Sequence, residues 1–191
     1  MSGTTKRLQW DEALLVVVDM QEKLVAAMDK PGMLVEHAEK LVKGFAALEL
    51  PMLFTQQYTK GLGETVAPVK AATADENGSE WFSYIEKLSY SVMGEPAFVE
   101  KLRASGRKQI VICGIEAHVC VLQSALDFLD EGYDVFLVAN AVASRSRVDS
   151  GMAFRRVEEA GAVVTTIEAV LFELLGTAAH PKFKSISALV K

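Results

Sequence analysis

The sequence predicts an α/β protein with a mainly parallel sheet covered by helices on both faces. Three observations predict it. Short apolar runs alternate with stretches of helical periodicity, the connections between them are short, and glycines follow several of the helical stretches. Strand–helix alternation of this kind implies right-handed crossovers, which set parallel strands side by side with helices above and below.

The elements follow in order. Ala13 to Val18 reads A-L-L-V-V-V, an unbroken apolar run suited to a strand buried on both faces. Met33 to Leu48 carries Leu34, Ala38, Leu41, Val42, Phe45 and Leu48 at helical spacing. Leu50 to Thr55 reads as a second strand. Tyr58 to Ser83 is polar, glycine-containing and irregular, and reads as a long loop with at most one helical turn. Glu95 to Ala104 is a short helix with Pro96 in its first turn, where proline is tolerated. Gln109 to Cys113 is a third strand. Glu116 to Glu131 is a helix closed by Gly132. Asp134 to Ala139 is a fourth strand, Val148 to Ala160 a helix closed by Gly161, Ala162 to Thr166 a fifth strand, and Ala169 to Leu175 a short terminal helix. A chain of 191 residues without repeats or linkers suits one domain spanning residues 1–191.

Composition narrows the function. The chain is 50% hydrophobic and only 8% aromatic, so the expected core is large and aliphatic. A net charge of −5 is no basic footprint, and no nucleic-acid partner is expected. Arg145, Arg147, Arg155 and Arg156 are interrupted by acidic and apolar residues and read as a solvated or salt-bridged face. No apolar run approaches the roughly 18 residues of a membrane span, so no membrane partner is expected. The two cysteines form no disulfide framework, and the polar start of the chain has no apolar signal segment. A cytoplasmic protein is the expectation. No His/Cys/Asp cluster has metal-ligand spacing, and neither GxGxxG nor a P-loop occurs, so no metal and no cofactor are expected.

In a sheet of this kind, functional residues gather at the carboxyl ends of the strands. Asp19 directly follows the first strand, where a carboxylate either points into the crevice or caps the next helix. Cys120 follows the strand-ending Gly114 at the start of a helix. A helix N-terminus carries roughly +0.5 of a charge, which favours a thiolate. Cys113 lies within an apolar run and reads as structural. Lys87, in Y-I-E-K-L-S-Y-S, reads on spacing alone as a surface lysine, but beside a cysteine it would favour the thiolate. His118 is two residues before Cys120 and points elsewhere on a helix, a poor general base.

As a set, V-V-V-D-M-Q (Val16 to Gln21), K-L-S-Y-S (Lys87 to Ser91) and G-I-E-A-H-V-C-V (Gly114 to Val121) resemble the isochorismatase-like hydrolases, also called cysteine hydrolases. T-Q-Q-Y-T-K-G-L-G at Thr55 to Gly63 and A-V-A-S-R-S at Ala141 to Ser146 support the likeness. That superfamily includes nicotinamidases, N-carbamoylsarcosine amidases and the isochorismatase domain-containing proteins of unassigned substrate, and this chain looks most like the last. The resemblance implies a three-layer α/β/α, Rossmann-like fold with a six-stranded sheet, the sixth strand being short and near Thr166 or the C-terminus. It implies an Asp–Lys–Cys triad at Asp19, Lys87 and Cys120, and a cis peptide joining Ile115 to Glu116. It further implies an oxyanion hole from the backbone N–H groups of Glu116 and Cys120, and a homo-oligomer, dimer or tetramer.

Departures from the family matter as much. The loop after the second strand has no histidine, unlike the metal-binding loop of nicotinamidases. A cysteine nucleophile argues against the vinyl-ether hydrolysis of true isochorismatases. The expected function is thiol-dependent hydrolysis of a small amide, carbamoyl or ureido substrate, with Gln21, Gln56, Tyr58, Tyr90 and His118 lining its pocket. Two other readings stay open: a non-catalytic oligomeric binding or scaffold protein that keeps the pocket, and a thiol sensor acting through Cys120.

Overall fold

The structure is a computed structural model that describes residues 6–74 and 82–191. Part of the expected long loop, residues 75–81, and the first five residues of the polar start lie outside the described residues. Six parallel strands form one sheet in the order β3-β2-β1-β4-β5-β6. They are β1 (Ala13–Val18), β2 (Met52–Gln57), β3 (Ile85–Lys87), β4 (Gln109–Ile115), β5 (Asp134–Ala143) and β6 (Val163–Thr165). The helices are α1 (Glu22–Ala26), α2 (Pro31–Ala47), α3 (Thr59–Leu62), α4 (Ala67–Ala71), α5 (Pro96–Ala104), α6 (Leu122–Asp130), α7 (Arg147–Glu159), α8 (Ile167–Leu175) and α9 (Phe183–Leu189).

Right-handed crossovers fix the layers. The chain steps one way from β1 to β2 and the other way from β4 through β5 to β6, so the connecting helices fall on opposite faces. On one face α2 packs against α8 and α9. On the other, α6 packs against α7, and Phe98 of α5 meets Phe128 of α6 with ring centroids 6.1 Å apart. The central strands β1 and β4 are buried along their whole lengths. Their unbroken apolar runs exist for that reason.

The sixth strand is not near Thr166 or the C-terminus. It is β3, a three-residue edge strand after the long loop, and it ends on Lys87. The loop also folds more than expected, since α3 and α4 both lie within it. Helices α1 and α9 were likewise not foreseen. The helix expected from Glu116 opens instead as a π-turn over Ala117–Val121 that leads into α6. Between β4 and β5 the register jumps from Ile112–Leu137 to Gly114–Val142, so β5 bulges at its carboxyl end. Such irregularities re-aim the chain next to functional sites.

Gly114 permits the close approach of β1 and β4. Its φ is +116°, and a Cβ built there would fall 2.0 Å from the Val18 carbonyl oxygen. Among the described residues, no helix is long and apolar enough to cross a membrane.

Candidate active site

The strand order reverses between β1 and β4, and the polar cluster sits at that switch point. Asp19 leaves β1 at φ +49°, fully buried. It does not cap α1, whose N-cap is Gln21. Thr55 of β2 donates to Asp19 Oδ1 at 2.8 Å, and Lys87 Nζ lies 2.8 Å from Oδ2. Among the described residues, Oδ2 accepts no aligned hydrogen bond beyond that ion pair.

Lys87 is no surface lysine, since its side chain is fully buried. It reaches from the end of β3 across β2 to the switch point. Its ammonium lies 3.5 Å from Cys120 Sγ, 2.5 Å from Gln57 Oε1, and 3.1 Å from each of the Ser89 and Tyr90 carbonyl oxygens. A lysine cation survives burial only when paired and hydrogen-bonded, and this shell meets both needs. The turn bearing those two carbonyls is clamped by Glu95 Oε1, which accepts from Leu88 N, Ser89 N and Ser89 Oγ. These bonds hold the Glu95 carboxyl below its ordinary value, the Ser89 hydroxyl first among them.

Cys120 lies in the π-turn, 7% exposed. Ser124 bonds back to the Cys120 carbonyl at 2.6 Å and accepts from Val92 N at 3.0 Å, tying the cysteine turn to the segment after Lys87. The expectation that the helix start favours a thiolate does not hold. Burial, with the negative charge of Asp19 adding to it and Lys87 opposing, pushes the thiol up to about 12. Asp19 is also raised, by burial first, against the pull of Lys87 and Thr55. Burial thus disfavours the charged form of both Asp19 and Cys120, and Lys87 opposes it at each.

The remaining sequence candidates divide. The Ile115–Glu116 peptide is cis. Glu116 takes an ion pair from Arg145 at 3.0 Å, and its carbonyl accepts from Val119 and Val121. His118 Nδ1 lies 2.8 Å from Ser144 Oγ, directed away from any role as base. Gln21 and Gln56 are buried with their amides already engaged: Gln21 bonds Gly63 and Gln57, and Gln56 bonds Thr65 and Thr59. Both act as internal braces. Tyr58 and Tyr90 are exposed and flank Lys87 through their backbones. Cys113 and Cys120 are both free. Three of the four arginines form ion pairs, Arg145 with Glu116, Arg147 with Asp29 and Arg155 with Glu159.

Thr55, Gln57, Glu95 and Ser124 were missed. Thr55 and Gln57 stand at the carboxyl end of a strand, which is a signal, but T-Q-Q-Y alone does not say which glutamine turns toward the site. A crevice of about 400 Å³ lies over the bulged end of β5, lined by Lys30, His37, Asn140, Ser144 and Arg147 among others. Its lining residue Ser144 is the one that contacts His118, two residues before Cys120. Among the described residues, no three His, Cys, Asp or Glu side chains converge as metal ligands.

A doubly wound parallel sheet with a buried Asp19–Lys87–Cys120 cluster at its switch point defines a class of α/β architecture, and comparison with known proteins gives the family. The isochorismatase domain model matches residues 13–169, and the chain belongs to the isochorismatase family, whose fold is that of hydrolases. It is 38% identical over 179 residues to isochorismatase domain-containing protein 2 of Xenopus laevis, covering 93% of this chain and 83% of that protein. It is 35% identical to the secreted isochorismatase effector Isc1 of Phytophthora sojae, over 100% of this chain and 91% of that one. Among solved structures, that of MAR1 ribonuclease from Caenorhabditis elegans superposes with a TM-score of 0.89 at 34% identity, covering 97% of this chain and 92% of that one. The Escherichia coli YcaC product, described as an octameric hydrolase of unknown specificity, gives 0.90 at 26% identity over 98% and 91%. YcaC from Pseudomonas aeruginosa, solved with hexane-2,5-diol and covalent acrylamide, gives 0.90 at 26% identity over 99% and 92%.

Proposed function

We propose that this protein is a cysteine-dependent hydrolase that cleaves the C–N bond of a small amide, carbamoyl or ureido compound. One observation carries the reading: a buried lysine ammonium lies 2.8 Å from Asp19 Oδ2 and 3.5 Å from Cys120 Sγ. A thiol held near 12 is inert at neutral pH unless a neighbouring base takes its proton. Asp19 Oδ2, with a lone pair left unbonded, is that base.

In the proposed reaction the thiol proton passes to Asp19 and Sγ bonds to the substrate carbonyl carbon. The oxyanion is held by the backbone N–H groups of Glu116 and Cys120, each such donor contributing about 2.7–4 kcal/mol. Asp19 returns the proton to the departing nitrogen as the C–N bond breaks, leaving a thioester. Water, giving a proton to Asp19, then attacks the thioester and releases the acid, and Cys120 regains its proton. Lys87 stays charged throughout and offsets whichever of the two partners is anionic.

Acrylamide, which the P. aeruginosa relative holds covalently, is both a primary amide and a soft electrophile, the pairing a thiol amidase site would attract. The C. elegans relative, named a ribonuclease, suggests a polymer substrate instead. A net charge of −5 and a nucleophile only 7% exposed favour a small molecule. The octameric relative supports self-assembly as a homo-oligomer. Two free, buried cysteines suit a reducing, cytoplasmic setting. The test is a screen of small amides and ureas, with an RNA oligonucleotide in parallel, using wild type, Cys120→Ala and Asp19→Asn. Ammonia or amine release that both substitutions abolish supports the reading; release that survives them, or cleavage of RNA alone, ends it.

A further inference from the structure

The Lys87 ammonium has three protons and five neighbouring acceptors within 3.5 Å. Two of these, Asp19 and Cys120, belong to the proposed chemistry. Two are backbone carbonyls of the turn clamped by Glu95. The fifth, and the shortest at 2.5 Å, is the side-chain oxygen of Gln57.

Gln57 is held from every side. Its Nε2 donates to the Leu88 carbonyl at 2.9 Å, which fixes the amide with its oxygen, not its nitrogen, toward the ammonium. Its backbone N–H donates to Gln21 Oε1 at 2.6 Å, and its carbonyl accepts from Gln21 Nε2 at 3.0 Å. Gln21 itself is fully buried and bound at its other end to the Gly63 carbonyl at 2.6 Å. One glutamine therefore grips both main-chain groups of the other, and the second presents one oriented dipole to the lysine.

We propose that Gln57, braced by Gln21, is a positioning residue: its oxygen anchors the Lys87 ammonium between Asp19 and Cys120. This rests on the Asp19–Lys87–Cys120 reading of the site. A flexible four-carbon stem bearing a point charge does not choose among acceptors unaided. An uncharged acceptor is also the right partner here. A second carboxylate would neutralise the cation that Asp19 and a thiolate at Cys120 must share. The charged groups facing the ammonium are then Asp19 from the end of β1 and, outside the turn, Glu95.

The test needs no substrate. Cys120 alkylation by iodoacetamide is followed by mass spectrometry against pH, with Cys113 as internal comparison. Gln57→Glu keeps shape and acceptor but adds charge, and the pH at which alkylation reaches its flat stretch should move up by about one unit. Gln57→Met keeps the length but removes the acceptor, and should slow alkylation about tenfold, the low end of what supporting partners of reactive groups contribute. Profiles and rates within about twofold of wild type in both folded variants would overturn the proposal. If Gln57→Glu does not fold, Gln57→Met decides alone. Activity surviving Cys120→Ala would end the hydrolase reading without touching this result, so the two failures are separable.

Discussion

Cys113 and Cys120 lie seven residues apart in one strand–turn segment, both are buried, and both thiols are pushed up to about 12. The causes differ. Cys113 is raised by burial alone. Cys120 is raised by burial and by Asp19, while Lys87 pulls it down. One thiol is shifted by burial without a charged partner acting on it; the other has a carboxylate and an ammonium beside it. The comparison teaches that thiol acidity does not set Cys120 apart. What distinguishes it is a neighbouring carboxylate, its proposed base, which adds to the burial that raises the thiol.

The largest expected effect separates the two residues outright. Cys120→Ala should reduce hydrolysis of an identified substrate at least about 10³-fold. Cys113→Ala should leave kcat within about twofold. Equal losses would show that the two thiols are not distinct in function. Asp19→Asn comes next, with kcat falling by about 10²–10⁴ as the proton acceptor is lost. Gly114 is the boundary between the two environments. Gly114→Ala would place a Cβ 2.0 Å from the Val18 oxygen at φ +116°. It should cost about 3 kcal/mol or more, seen as a fall in the urea midpoint.

Smaller effects sharpen the same contrast. Cys113→Ser buries an unmatched hydroxyl and should cost about 1–3 kcal/mol without changing kcat. Alkali should affect both thiols through stability. Each pKa rises from an ordinary 9.0 to about 12 on folding. Between those values the unfolded chain has lost protons that the native state keeps, so stability falls as pH rises from 9 to 12. Cys113→Ala should flatten that decline, as measured by denaturant midpoints across the range.

The sequence makes some of this plain and hides the rest. The sheet and the two central strands are legible because buried parallel strands must be apolar throughout. Asp19 and Cys120 are legible because each directly follows such a run. Lys87 is not legible from periodicity. Its strand is three residues long, at the sheet edge, and nothing in Y-I-E-K-L-S separates a buried cation from an exposed one. Only the family resemblance singled it out. The surroundings of Cys120 are only half legible, because a helix start is visible in sequence, whereas a carboxylate brought beside the sulfur from another strand is not. The internal hydrogen bonds of Gln21 and Gln56 are not legible, because a polar side chain near a site looks the same in sequence whether it faces a ligand or its own chain.

The most direct test is the slope of Cys120 alkylation against pH in wild type and Asp19→Asn. If Asp19 takes the thiol proton, the wild-type rate stays nearly flat from about pH 6 to 9, because the proton moves within the site rather than to solvent. In Asp19→Asn the rate should then climb about tenfold per pH unit, as for an isolated thiol. A wild-type rate that climbs as steeply as that of Asp19→Asn would contradict the account, leaving Asp19 a structural partner of Lys87 and Cys120 without its base.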